Sequence, residues 1–237
     1  MPEPLSPFEQ SRVVESAAAS TDDGLFDVER RVVESHFTDR DAAVLDLGCG
    51  TGRTTAALDR LGFDVVGVDV SEPMIRRARS LFPAIDFRTG DAADLSFADE
   101  RFEYVLFSFN GLDYVRPEGD RYVALREIHR VLRPGGTFAF SSHNPFYVLP
   151  ADPTSPYGYY LVARFWLRNL RDGTATAAYK TDVLGDRTLD TYFISPRGQR
   201  RQLSRCGFRV CEVVAKESAP SVWLDPWPYY VAERPGS

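Results

Sequence analysis

Three acids and three glycines carry the strongest chemical signal in this chain of 237 residues. In VLDLGCGTGRTT, residues 44–55, a short apolar run ends at Asp46 and gives way to Gly48, Cys49, Gly50 and Gly52, after which the pattern turns helical. Glycines so placed let the backbone turn sharply and approach a ligand closely, while the helix that follows offers unpaired N–H donors at its start. The pattern predicts a cradle for a nucleotide-like ligand. Asp69 ends the next apolar run, DVVGVDV at 64–70, where one carboxylate can accept from two vicinal ribose hydroxyls. Asp91, in GDAADL at 90–95, is either a ligand contact or a turn acid.

Groups able to move a proton are few. The histidines are His36, His129 and His143. His129 falls inside a predicted helix and His36 ends an N-terminal one, whereas His143 follows a strand at its carboxyl edge and is the candidate catalytic base. Asn110, Asp113 and Tyr114 in SFNGLDY follow the preceding strand and are candidate substrate contacts, with capping of a loop as the rival reading. Tyr147 opens an aromatic stretch and joins them, as does His143. Cys49, Cys206 and Cys211 contain no CxxC pair and point to neither a disulfide framework nor a metal site.

Those residues need a scaffold that sets them along one edge. Short apolar runs at 42–47, 64–70, 85–88, 102–109 and 137–143 alternate with helical patterns or short connections, the arrangement of a doubly wound α/β sheet with right-handed crossovers. Ser71 and Pro73 mark one helix start, and Ala124, Leu125, Ile128, Val131 and Leu132 share the face of a helix over 117–132. PRGQRRQLSRCGF predicts a last helix, and the two runs after it, 209–216 and 228–233, pair antiparallel. Residues 1–40 are expected to form a helical cover. Residues 144–194 are expected to be a lid or substrate insertion with strands at 159–167 and 174–183, all within a single domain, 1–237.

Composition narrows the partners. Hydrophobic residues make up 43% and charged residues 26%, so a buried core is expected. No apolar run reaches the roughly 20 residues of a membrane span, and MPEPLSPFEQ lacks the basic-then-apolar order of a secretion signal, which predicts a cytoplasmic chain without a membrane partner. The net charge of −6 disfavours broad attraction to nucleic acid and favours a small molecule, in a monomer or a dimer. Only Lys180 and Lys216 are lysines.

Taken together, DLGCGTG, Asp69, GDAADL and LRPGGTFAFSS at 132–142 resemble the class I S-adenosylmethionine-dependent methyltransferase family over residues 42–143. The resemblance implies a Rossmann-like, seven-stranded, mostly parallel sheet with an antiparallel C-terminal strand. It also implies S-adenosylmethionine as cofactor. Asp46 and the Gly48, Cys49, Gly50 and Gly52 backbone would hold its methionine half, Asp69 its ribose, Val70 and Met74 its adenine face, and Asp91 and Ala92 the adenine amino edge. Phe107 and Ser108 would line the passage to substrate. The resemblance names no holder for the methionine carboxylate, for which Arg12 and Arg53 are the candidate cations. The implied activity is methyl transfer to a small-molecule acceptor. A cofactor-binding protein without turnover, and methylation of nucleic acid or protein, are the alternatives. NPFY at 144–147 resembles the Asn-Pro-Pro-Tyr tetrad of nitrogen methyltransferases but follows the fifth strand instead of the fourth, and is read as coincidence. The aromatics of the insertion suit an apolar or cationic acceptor and the arginines of 164–171 and 197–205 an anionic one.

Overall fold

A computed structural model describes residues 10–146, 154–184, 187–217, 219 and 221–236. Strands β1 (Ala43–Leu47), β2 (Asp64–Asp69), β3 (Asp86–Thr89), β4 (Phe102–Phe107), β5 (Leu132–Ser141), β8 (Arg209–Val214) and β9 (Tyr229–Glu233) form one sheet in the order β3-β2-β1-β4-β5-β9-β8. The first five run parallel, and β9 alone opposes its neighbours. This is the expected Rossmann-like α/β architecture. Strand order reverses between β1 and β4, so the carboxyl ends of β1, β2, β4 and β5 converge where ligands of open α/β sheets bind.

The side-chain alternation of the strands builds two apolar layers. Leu45, Leu47, Val66, Val105, Phe138 and Phe140 pack on one face against Leu125 and Ile128 of α5 (Glu118–Val131) and Leu203 of α7 (Pro196–Arg205). Val44, Val65, Leu106 and Val231 pack on the other against Val28, Val32 and Val33 of α2 (Asp27–His36) and Leu58 of α3 (Arg53–Arg60). The N-terminal cover is thus α1 (Ser11–Ala19), which lies beside α4 (Glu72–Leu81), and α2, which closes the second layer.

Helix starts follow the sequence signals. Ser71 Oγ accepts from Met74 N–H at 3.4 Å, and Ser195 Oγ from Gly198 N–H at 3.2 Å, each with proline in the first turn. The insertion departs from expectation. Residues 159–167 lie within a helix, α6 (Pro156–Arg171), started by Ser155 and Pro156. A hairpin of β6 (Tyr179–Leu184) and β7 (Arg187–Tyr192) follows as a separate two-stranded sheet. Strand β5 begins ahead of the apolar run at 137–143, with a bulged start over Arg133–Gly136 where the β4–β5 register shifts between Phe102 and Tyr104.

One buried ion pair ties the insertion to the scaffold. Arg121 of α5 is fully enclosed, and its Nη1 donates to Asp113 Oδ1 at 2.8 Å and to the Leu112 carbonyl at 2.6 Å. Nε and Nη2 donate to Gln202 and Gln199 of α7, both at 3.0 Å, and the guanidinium lies 4.4 Å from the centroid of Tyr192 on β7. A buried charge is tolerated only when so satisfied. Arg121→Ala, which leaves Asp113 enclosed without its cation, should cost about 3–5 kcal/mol in urea denaturation; a loss below about 1 kcal/mol would show that the pair is reached by water.

Candidate active site

The loop after β1 has the conformation that its glycines predict. Gly48, Gly50 and Gly52 have φ of +61°, +56° and +94°. At Gly48 a Cβ would stand 2.7 Å from the Phe107 ring, and at Gly52 2.8 Å from Phe87, so backbone sign and space both demand glycine there. At Gly50 a Cβ would meet nothing within 4 Å: this part of the loop opens into unfilled space. Cys49 Sγ turns away into a small cluster with Ile75, Ala78 and Phe87, leaving only its backbone for a ligand.

Asp46 is wholly buried at the end of β1, where Thr54 and Thr55 hydroxyls both donate to its Oδ2 at 2.6 Å. Its Oδ1 is buried and accepts from no donor among the described residues. Burial raises this carboxyl to a pKa of about 6 against the pull of the two threonines. Asp69 sets the loop from the next strand, accepting Gly50 N–H on Oδ2 and Ser71 N–H on Oδ1, both at 2.8 Å. Burial pushes its carboxyl upward as well, against those two bonds.

The rest of the expected cofactor set divides. Val70 is exposed beyond β2, while Met74 is buried on α4 with its backbone at the helix cap. Asp91 Oδ1 accepts Ala93 N–H at 2.8 Å and closes a turn, and Ala92 is half-buried against the core. Phe107 packs flat in the core over Gly48 and Gly111. Ser108 is buried, and its hydroxyl donates to Glu29 and lies 2.7 Å from Tyr229 Oη.

Glu29, on α2, joins the site from outside the residues expected of the sequence. Fully enclosed, it receives Arg53 Nη1 at 2.7 Å and Nη2 at 2.8 Å, the hydroxyls of Ser108 and Tyr229, and Phe26 N–H at 2.8 Å. Burial alone would raise its carboxyl; the Arg53 fork, Ser108 and Phe26 outweigh it and hold the group below the ordinary range. Its signal was an acid lying inside the apolar stripe Val28, Val32 and Val33. Arg53 also donates to Gly24 O and stacks 4.0 Å from the Phe26 centroid, so its fork is committed to Glu29, while Arg12 is exposed on α1. Neither is therefore a ready holder of a carboxylate.

Beyond β4 the chain bends through two consecutive non-glycine residues of positive φ, Phe109 at 52° and Asn110 at 57°. Such strain concentrates at functional turns. Phe109 is exposed 6.4 Å from the Phe26 ring, and Asn110 has a buried Oδ1 that finds no donor among the described residues. Asp113 corrects its expected role: it is fully enclosed, with Oδ1 taking Arg121 and Ser142 Oγ and Oδ2 taking His143 N–H at 2.6 Å and lying 2.8 Å from His143 Nδ1. It cannot touch substrate and instead orients the imidazole. His143 is buried among Tyr114, Phe193 and Trp227, with ring centroids at 6.2, 5.1 and 6.4 Å. The two lysines stand behind that ring set, Lys180 over Phe193 and Lys216 over Trp227, each lowered by burial. Tyr147 lies outside the described residues. Asn144 spends its amide on the Trp223 and Asp225 carbonyls, a structural use that removes the tetrad reading. His129 packs edge-on against Phe208, and His36 pairs with Glu212 at the surface, both away from the loop. No group of three or more metal-binding side chains occurs among the described residues, and none of their helices is long and apolar enough to cross a membrane.

The raised Asp46 pKa fixes a pH dependence. Below about pH 4 the folded and unfolded chains both hold the proton; from there to about 6 the unfolded chain releases it first, so stability falls as pH rises and levels off above 6. Asp46→Asn should therefore be more stable than the parent at pH 7.5 by up to about 3 kcal/mol and lose that advantage by pH 4, as read by urea titration at both pH values; a pH-independent difference would contradict the assignment.

Comparison with known proteins agrees with this geometry. Residues 44–136 match the sequence profile of the family described as "Methyltransferase domain". The chain is 39% identical over 123 residues to a demethylmenaquinone methyltransferase of Beutenbergia cavernae, covering 50% of this chain and 47% of that protein. It is 37% identical over 103 residues to the malonyl-[acyl-carrier protein] O-methyltransferase of Pseudescherichia vulneris, covering 44% and 39%. The matches thus span half or less of these curated relatives. In fold, a SAM-dependent methyltransferase from Methanosarcina mazei superposes with a TM-score of 0.69 at 18% identity, over 90% of this chain and 100% of that one. The glycine loop, the two strand-end acids and the reversed ninth strand thus lie in or beside the stretch that matches a methyltransferase domain, on the fold of a solved SAM-dependent methyltransferase.

Proposed function

We propose that the chain transfers a methyl group from S-adenosylmethionine to a small-molecule acceptor. The observation that carries this reading is the enclosed Asp46, whose Oδ1 accepts from nothing among the described residues, on the strand that leads into three positive-φ glycines. The charges agree with a cationic ligand: Asp46 and Glu29 share one guanidinium, Arg53, and Asp69 adds a third carboxyl on the glycine loop. A ligand bearing both an ammonium and a sulfonium meets that excess. On this reading the open space at Gly50 admits the ligand, Asp69 takes the ribose hydroxyls, and exposed Val70 and the Asp91 turn meet adenine.

The cofactor supplies an electrophilic methyl carbon. The chain's own task is to orient the acceptor and to shut out water, and orientation alone can contribute roughly 7–11 kcal/mol. Asn110 Oδ1 offers an acceptor to a substrate N–H or O–H, and Phe26 and Phe109 give an apolar rim. When the acceptor atom carries a proton, His143 is the group to take it, with Asp113 holding Nδ1 and stabilising the imidazolium that forms. The named substrates of the two curated relatives, a demethylated menaquinone and a malonyl carrier protein, leave open which acceptor atom this chain serves.

Two variants test the halves separately. Asp69→Ala removes two charge-assisted bonds to the loop and the ribose contact, and should weaken S-adenosylmethionine binding at least tenfold in calorimetry; unchanged affinity would remove the ribose role. His143→Gln should keep that affinity within about twofold while lowering turnover roughly 10²–10⁴-fold on an acceptor that must lose a proton. Full turnover in His143→Gln would dismiss the base.

A further inference from the structure

Helix α6 has two unlike faces. Inward, Val162 and Phe165 are buried, and the Phe165 ring stands 5.3 Å from Phe193, itself 5.1 Å from His143, so the helix backs on the acceptor side of the site. Asn169 locks it there, donating to the Phe165 and Thr181 carbonyls and accepting Thr181 N–H at 3.1 Å. Outward, Tyr160, Ala163, Arg164, Leu167, Arg168 and Arg171 recur at helical spacing and line one shallow apolar depression. Tyr157, Leu167 and Leu170 are 66%, 68% and 64% exposed.

This inverts the usual surface helix, which turns its leucines inward and mixes both signs of charge outward. Pro156–Arg171 contains three arginines and not one Asp or Glu, in a chain of net charge −6. Whatever covers this face must accept aliphatic side chains and carry negative charge. Single-stranded nucleic acid meets arginine and tyrosine but gives leucine no stacking partner. A second copy meeting this face by twofold symmetry brings arginine against arginine. A bilayer of anionic lipid supplies both requirements at once, phosphates for the guanidinium groups and the acyl boundary for leucine and tyrosine. An interfacial helix lies in the plane of the membrane and needs no 20-residue apolar run.

We propose that α6 is an interfacial helix that docks this chain on anionic lipid bilayers, with its inner face toward His143. The inference concerns where the chain sits, so it is tested without turnover. Full-length protein is floated with vesicles of phosphatidylcholine alone and of phosphatidylcholine with a quarter phosphatidylglycerol. Binding to the anionic vesicles should exceed that to the neutral ones at least tenfold and weaken as salt rises. Each arginine should be worth about fivefold, so R164Q/R168Q/R171Q should bind roughly 100-fold more weakly. L167S/L170S should lose at least tenfold at low salt. Both variants change exposed positions and should keep the parent's thermal midpoint and its affinity for S-adenosylmethionine. No flotation, equal flotation on both vesicles, or flotation that survives both variants would overturn the proposal. So would a mobility shift with single-stranded RNA, or a dimer abolished by L167S/L170S, in protein that does not float.

Discussion

The enclosed Glu29 carboxylate is the constraint on which the rest of the site depends. A charge without water must be paired and fully hydrogen-bonded, and this one draws its partners from four separate elements. Arg53 comes from the first turn of α3, Ser108 from the end of β4, Tyr229 from β9, and Phe26 N–H from the start of α2 itself. Satisfying one acid therefore fixes the N-terminal cover on the glycine loop and ties the end of β4 to the reversed strand β9 across β5. Burial and the neighbouring Glu29 charge hold the Tyr229 phenol well above its ordinary pKa, so it serves as a donor.

A second enclosed carboxylate, Asp113, does for the turn after β4 what Glu29 does for the glycine loop. It joins Arg121, Ser142 and His143, and through Arg121 it reaches both α7 and the hairpin of the insertion. The two hubs differ in purpose. Glu29 consumes a guanidinium and leaves the loop region with surplus negative charge, whereas Asp113 is neutralised by Arg121 and spends its remaining lone pairs on orienting an imidazole. The fold thus separates an acid-rich glycine loop from the Asp113–His143 pair along one sheet edge.

Local signals made the scaffold legible. The sheet core announced itself by short apolar runs, and the loop by glycines whose positive φ is a demand of the backbone at that place. What stayed hidden was long-range. Glu29 lies 24, 79 and 200 residues from Arg53, Ser108 and Tyr229, and in sequence it is one more acid on an amphipathic helix beside Arg30 and Arg31. Asp113 read as a loop acid because nothing local shows that a buried arginine will claim it. The reading of 159–167 as a strand followed the β propensity of its tyrosine, phenylalanine and tryptophan, which the cap at Ser155 and Pro156 and the packing of Val162 and Phe165 override.

The central claim is that the loop, its two strand-end acids and the enclosed Glu29–Arg53 pair form a site for a cationic adenosyl ligand. Calorimetry on the full-length protein with S-adenosylmethionine, S-adenosylhomocysteine and NAD tests it most directly. The account predicts micromolar binding of both adenosyl ligands and none of NAD. Binding of NAD in their place, or no heat from either adenosyl ligand, would contradict it.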